Sequence, residues 1–269
     1  MGGQIKSLYL ATDLEGVAGV VSFEKQAYPA GQYYNDARGL LTQEVNAAIA
    51  GALAAGVERL VVADGHGYGA IAYEQLHEAA ELIHGRPITP SQLLGLVAEC
   101  EAVAMIGQHA MAGVATATLN HTSDEYEVDF KKLNGRLVGE IAMFALYAGA
   151  KGKPMIFLSG DMDACAEVKA LIPGITAAAV KRGLGRYSAV SLSVARARAL
   201  IREGMEKAIT RQRRHPIKPL IWKPPYRLEI RYGHTHKADQ VACIPGTERV
   251  DGQTVRLKGE DVCELLYRV

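Results

Sequence analysis

Leu8-Tyr9-Leu10-Ala11-Thr12-Asp13-Leu14-Glu15-Gly16 sets an apolar run directly against two carboxylates and a glycine. A short continuous apolar segment closed by turn-forming residues reads as a strand covered on both faces. Downstream, apolar residues recur at helical spacing between Asp36 and Ala55: Leu40, Leu41, Val45, Ala48, Ile49, Ala52 and Leu53. Gly56 is a natural stop for that helix. Leu60-Val61-Val62-Ala63 then runs into Asp64-Gly65-His66-Gly67. Strand, helix, strand in this order is a βαβ unit, a parallel pair joined by a right-handed crossover.

The rhythm repeats. Leu93 to Cys100 reads as a helix, and Ala102 to Ile106 as a third strand entering Gly107-Gln108-His109. Tyr126 to Val138 carries Asn134-Gly135, the strongest short hairpin signal. Glu140 to Ala148 is helical, Met155 to Leu158 is a strand entering Ser159-Gly160-Asp161, and Ser193 to Arg211 is a long amphipathic helix. Residues 17–34 read as a long loop, Tyr226 to Tyr232 as an exposed strand, and Gly259 to Tyr267 as a last helix. The expected class is α/β: a three-layer α/β/α arrangement with a mixed, mainly parallel sheet and a smaller C-terminal α+β segment. The expected division is a core at 1–215 and a segment at 216–269. The latter opens on the Pro-rich stretch Pro216 to Pro225 and is either a small subdomain or part of the same domain.

Composition narrows the function classes. Thirty Lys+Arg against twenty-nine Asp+Glu leave a net charge of +1, so no basic field exists for nucleic acid. Hydrophobic residues at 49% with 22% charged residues exclude wholesale disorder. No run reaches the roughly 18 apolar residues needed to span a membrane. The start, Met-Gly-Gly-Gln-Ile-Lys-Ser, lacks the apolar run of a signal peptide, so a cytoplasmic location is expected. Cys100, Cys165, Cys243 and Cys263 form no CxxC and are expected to be buried reduced thiols.

Three apolar strands thus end in metal-competent residues: Asp13 and Glu15, then His66, then His109. In open α/β sheets the functional crevice lies beyond the carboxyl ends of the strands, so neighbouring parallel strands would deliver these side chains to one rim. Most have a plainer explanation alone, although His66 between glycines is poorly explained as a core residue. Asp13 serves as a turn former, His109 as a satisfied buried histidine, and Glu140 as a complement to its helix dipole. Together they would require a separate coincidence at every strand. Asp13 and Glu15 share a side if strand geometry continues, and facing carboxylates repel unless a cation or proton intervenes. Carboxylates and imidazoles without thiolates suit Zn²⁺, Mn²⁺ or Co²⁺, and paired carboxylates favour a two-metal site for hydrolysis. Asn120-His121-Thr122 joins the set, its plainer reading being a polar loop.

The run Thr12-Asp13-Leu14-Glu15-Gly16-Val17-Ala18-Gly19 resembles the SxDxEG signature of the D-aminopeptidase family, peptidase family M55, also called the DppA family. Asp64-Gly65-His66, Gly107-Gln108-His109-Ala110, Asn120-His121 and Asn134 to Glu140 follow in that family's order, as do Ser159-Gly160-Asp161, Leu171 to Lys181 and Ile244 to Glu248. The resemblance implies two zinc ions held by Asp13, Glu15, His66, His109 and Glu140, with Asp13 bridging. It implies that His121 is the catalytic histidine, as nucleophile, general acid/base or stabiliser of the tetrahedral intermediate. It implies an aminopeptidase acting on short peptides with an N-terminal D-residue of the D-Ala type. It further implies a large ring-like homo-oligomer, a decamer being the candidate count. The alternatives are a metal-dependent amidohydrolase on another small amide, and a non-catalytic peptide-binding protein linked to dipeptide uptake.

Some positions depart from the pattern. Ala11 occupies the signature's first place, with the hydroxyl of Thr12 one residue later. Thr122-Ser123-Asp124-Glu125-Tyr126 is acidic, which would favour substrates with a basic group if it lines the pocket. His234 and His236 lie outside the implied ligand set and read as a solvated loop, although in a strand they would face one side. Arg211 to His215 reads as the basic end of a helix. Gly65, Gly67 and Gly69 space as GxGxG, yet His66 among them argues for metal over pyrophosphate. Asp161 either supports a ligand from behind or caps a helix, the cap being preferred.

Overall fold

The structure is a computed structural model that describes residues 5–268, so Met1 to Gln4 of the start considered above lie outside the described residues. Seven strands build the main sheet: β1 (Ser7–Thr12), β2 (Arg59–Asp64), β3 (Ala80–Ile83), β4 (Ala102–Gln108), β7 (Met155–Asp161), β8 (Thr176–Gly185) and β9 (Ser188–Ser191). Their order is β3-β2-β1-β4-β7-β8-β9. All neighbours are parallel except β8 and β9. The chain runs outward from β1 through β2 to β3, then returns to place β4 on the other side of β1. The strand order therefore reverses between β1 and β4, the position at which open α/β sheets form their crevice.

Side chains alternate across the strands and split the core in two. Leu8 and Leu10 of β1 pack with Leu41, Ile49, Ile201 and Met205 of α1 (Tyr34–Ala54) and α5 (Val194–Arg214). Tyr9 faces the opposite side, among Val97, Ile141, Ala145 and Val168 of α2 (Pro90–Glu99), α3 (Glu140–Ala150) and α4 (Met162–Leu171). Helices on both faces of a mixed, mainly parallel sheet are the three-layer arrangement expected from the sequence.

A second sheet is antiparallel, in the order β11 (Thr247–Arg249), β12 (Thr254–Gly259), β10 (Tyr226–Tyr232), β5 (Val128–Leu133), β6 (Arg136–Leu137). Asn134 and Gly135 take φ of +52° and +80° at the β5–β6 turn, the left-handed pair that a two-residue hairpin requires. Residues after Pro216 thus share one sheet with the hairpin at 128–137. Helix α3 lies between the sheets, sending Ile141 and Ala145 into one core and Ala142, Met143 and Leu146 into the other.

Details differ from the sequence reading where turn chemistry or tertiary contact overrides it. The loop at 17–34 contains a short π-helix at Phe23–Ala27, capped by the Ser22 hydroxyl. The last helix, α7 (Val262–Tyr267), begins later than Gly259 because β12 extends to that residue and Asp261 caps the helix. His234 precedes α6 (Thr235–Ala242) as its N-cap, so His234 and His236 lie in no strand. Cys100, Cys165 and Cys263 are buried free thiols, but Cys243 is exposed, because it sits at the end of the short surface helix α6. Among the described residues no helix is long and apolar enough to cross a membrane.

Beneath the crevice the chain packs backbone against backbone. Gly107 has φ of +77°, and a Cβ there would fall 2.0 Å from the carbonyl oxygen of Asp13. A Cβ on Gly16 would fall 2.1 Å from the carbonyl oxygen of Gln108. Gly107→Ala is expected to destabilise the fold by about 2–4 kcal/mol, from left-handed strain plus this collision. Urea unfolding checks this, and an unchanged midpoint would remove the close approach as a constraint.

Candidate metal centre

Each implied donor sits just past the end of a strand or at the start of a helix. Asp13 follows β1, where its N–H donates to the Ile106 carbonyl of β4 at 2.9 Å. The Leu14 N–H donates to its Oδ1 at 2.9 Å, and Gln108 Nε2 donates to its Oδ2 at 3.3 Å. His66 follows β2, His109 follows β4, and Glu140 opens α3. His121 lies in the connection from β4 to β5. All are buried except Glu140, which is partly exposed.

Each imidazole is oriented by a backbone carbonyl. His66 Nε2 lies 2.7 Å from Ala27 O, His109 Nδ1 lies 2.9 Å from Ala110 O, and His121 Nδ1 lies 2.9 Å from Leu119 O. Those nitrogens donate, which leaves the other nitrogen of each ring to face the site; the tautomers follow from this bonding. His66 Nδ1 is 3.5 Å from Asp13 Oδ1 and 3.3 Å from Glu15 Oε2. His109 Nε2 is 3.2 Å from Asp13 Oδ2 and 3.5 Å from Glu140 Oε1. His121 Nε2 is 3.8 Å from Glu140 Oε1, and its ring stacks on that of His109 at 3.9 Å.

Two groups of donors result. Asp13, Glu15 and His66 offer atoms within 4.8 Å of one another, and so do His109, His121 and Glu140. Glu15 Oε2 and His109 Nε2 are buried yet make no hydrogen bond. Close approach of buried lone pairs without hydrogen bonding is what a cation would resolve. Zinc bonds of ~2.0–2.1 Å at tetrahedral angles would place neighbouring donors about 3.3 Å apart. The closest nitrogen–oxygen approaches, 3.2 to 3.5 Å, match that spacing. The donor set therefore fits zinc.

The electrostatics agree. Burial disfavours a charged His66, but Asp13 and Glu15 outweigh it and hold the ring's pKa up to about 12. His109 is likewise raised against its burial, by Glu140 and Asp13. Burial would raise Asp13 and Glu140, but the facing imidazoles hold both below the ordinary carboxylate range. Nearby, burial pushes Glu167 up to about 7, with one oxygen on the Met111 N–H at 3.1 Å and the other unpaired.

Sequence reasoning left three supporting residues without a role. Gln108 steadies Asp13 Oδ2. The Ser123 N–H donates to Glu140 Oε1 at 2.8 Å from a left-handed backbone at φ +67°. Lys181 is buried and donates to the carbonyls of Glu15 and Val20. A lone lysine after the apolar run of β8 was its signal. Asp161 caps α4 by accepting from the Asp163 N–H at 2.9 Å. His234 and His236 stack on each other and join neither donor group.

A mainly parallel sheet carrying a carboxylate–imidazole donor set at its switch point defines an α/β metallohydrolase. Residues 7–269 match the model of the Peptidase M55 (D-aminopeptidase) family. The chain belongs to that family and is an aminopeptidase of its class. It is 32% identical over 266 residues to the D-aminopeptidase of Bacillus subtilis (strain 168), covering 96% of this chain and 93% of that protein. It superposes with a TM-score of 0.90 and 29% identity on a solved structure described as "Zn-dependent D-aminopeptidase DppA from Bacillus subtilis, a self-compartmentalizing protease". That match covers 97% of this chain and 94% of the other.

The carboxylates that raise His66 and His109 favour protonated rings in the metal-free protein, and a protonated ring must lose a proton to ligate. Zinc titration at pH 7 is therefore expected to release protons, with affinity rising as pH rises. Calorimetry in buffers of different ionisation enthalpy measures this. Release of none would mean that the two rings are not the ligands.

Proposed function

We propose that this chain removes the N-terminal D-residue from short peptides, D-Ala-type peptides included, at a two-zinc centre. Asp13, Glu15, His66, His109 and Glu140 would hold the ions, with Asp13 shared. The observation that carries the reading is the division of Asp13: Oδ1 faces His66 in one donor group and Oδ2 faces His109 in the other. Bound zinc supplies Lewis acidity, which makes water acidic enough to act near neutral pH and polarises a carbonyl.

The protein's own groups supply the rest. Water adds across the peptide bond, the C–N bond breaks, oxygen stays with the new carboxylate, and the leaving amine gains a proton. His121 Nε2 faces the site as a lone pair, because Nδ1 is committed to Leu119 O; it can take a proton from the added water and pass it to that amine. Its ring is held by the His109 stack and by the edge of Phe23 at 5.5 Å. A polar mouth of about 290 Å³ borders His121 and Glu140 and includes Tyr28, Ser123 and Glu125. Tyr28 donates its hydroxyl to Glu125, leaving an acidic wall suited to a positively charged substrate group.

A second assignment for His121 has support too, because it shares a donor group with His109 and Glu140. There it would be a ligand. The self-compartmentalizing relative supports a ring-like homo-oligomer here as well, a decamer in the fullest form of the proposal.

The test is zinc analysis with hydrolysis of D-Ala-D-Ala against L-Ala-L-Ala on one sample. About two zinc per chain and D-selective, chelator-sensitive cleavage are expected. His121→Ala should keep both ions and lose about 10²–10⁴ in kcat. Loss of one ion in that variant would make His121 a ligand. Cleavage of neither peptide by the two-zinc protein would favour another amide as substrate.

A further inference from the structure

A second cavity, of about 300 Å³, adjoins the donor set on the side away from Ser123 and Glu125. It shares Asp13, Gly65 and Glu140 with the polar mouth, and then runs between the main sheet and α3. Its walls are apolar and largely aromatic: Tyr9, Met105, Met143, Phe144 and Tyr147. Met143, Phe144 and Tyr147 lie three, four and seven residues after Glu140, on the same face of α3. The helix that presents the donor carboxylate therefore also presents the cavity wall. Tyr9 stacks on Phe144 with centroids 5.9 Å apart, which fixes that wall. The charged residues at the cavity's edge are already engaged. Asp64 accepts from the Ala70 and Ile71 N–H groups, and Arg86 donates to the carbonyls of Gly65 and His66.

We propose that this cavity receives the side chain of the substrate's first residue and selects large apolar side chains, leucyl to phenylalanyl in size, over alanyl. The inference rests on the aminopeptidase reading above. An aminopeptidase cuts after one residue, so only that residue lies beyond the scissile bond; the rest of the peptide trails through the polar mouth. The space beyond the donors is the apolar cavity. About 150 Å³ of dry cavity is enough to hold benzene, so 300 Å³ accommodates a phenylalanyl side chain. An alanyl methyl would leave most of that volume unfilled and its walls without contacts.

The experiment compares kcat/KM of the zinc-loaded protein for D-alanyl-, D-leucyl- and D-phenylalanyl-p-nitroanilide. The larger two are expected to exceed D-alanyl by about tenfold or more, since each added methylene in an apolar pocket is worth about tenfold at least. Leu93→Trp, which narrows the cavity from the α2 side, should lower the D-phenylalanyl to D-alanyl ratio by about tenfold. Phe144→Ala, which widens it, should raise that ratio and serves alone if the first variant fails to fold. Cleavage of D-alanyl with no preference for larger residues would overturn the pocket assignment and leave the peptidase reading standing. A wild-type preference that neither variant moves, with circular dichroism and zinc content unchanged, would also overturn it. Failure to cleave any D-residue would defeat the peptidase reading, and the pocket assignment with it.

Discussion

Asp13 is a buried carboxylate whose two oxygens face two different imidazoles, with two more carboxylates close by. Three such charges cannot stay ionised together in a buried site without compensating cations or protons. The surrounding structure consists largely of devices that keep this set in place. A backbone carbonyl pins each ring, Gln108 holds one oxygen of Asp13, and the Ser123 N–H holds Glu140. Ser123 does so from a left-handed conformation, which costs about 1–3 kcal/mol in a non-glycine residue. Strain at that point is consistent with a peptide shaped by the site.

The loop that carries Asp13 and Glu15 is fastened from below by opposite charges. Buried Lys181 donates to the carbonyls of Glu15 and Val20, and buried Glu44 accepts from the Ala18 N–H at 3.0 Å. Burial pushes the lysine down to about 8, against the pull of Asp161 and Glu44, and pushes Glu44 up to about 7. Such buried charges are weak contributors to stability. Their geometry accounts for them better: the donor Lys181 ties both ends of one loop and the acceptor Glu44 ties its middle, which no apolar side chain could do.

Much of this was legible because the chemistry sits at strand ends. Apolar runs ending in Asp13, His66 and His109 gave the strands, their parallel order and the rim to which they deliver side chains. The Asn134-Gly135 turn and the start of α3 at Glu140 were equally explicit. Short or atypical elements were harder. Strand β3 is a four-residue edge containing Glu81, and β8 begins Thr-Ala-Ala-Ala, with Val180 its only β-branched residue after the first position. His234-Thr235-His236 gave no helical period to betray α6. Backbone partners such as the Leu119 and Ala27 carbonyls cannot be read from sequence, since any residue supplies a carbonyl. The sequence could thus offer His121 as a candidate but not its orientation.

The second sheet is as much a part of the site as the first. Asp13, His66 and His109 come from the main sheet, but Glu140 begins where the β5–β6 hairpin ends. That hairpin is registered by β10, with Leu133 opposite Leu228 and Lys131 opposite Ile230. Its tip is stitched to the same strand by the Arg227 N–H donating to Asn134 Oδ1 at 2.7 Å. The Val138 N–H donates to the Lys131 carbonyl at 3.0 Å, which closes the path from hairpin to helix. A one-residue slip of β5 on β10 would turn Leu133 out of the core and carry Gly139 and Glu140 with it. Residues after Pro216 therefore set the position of a donor that precedes them in the chain, and the site exists only where the two sheets agree.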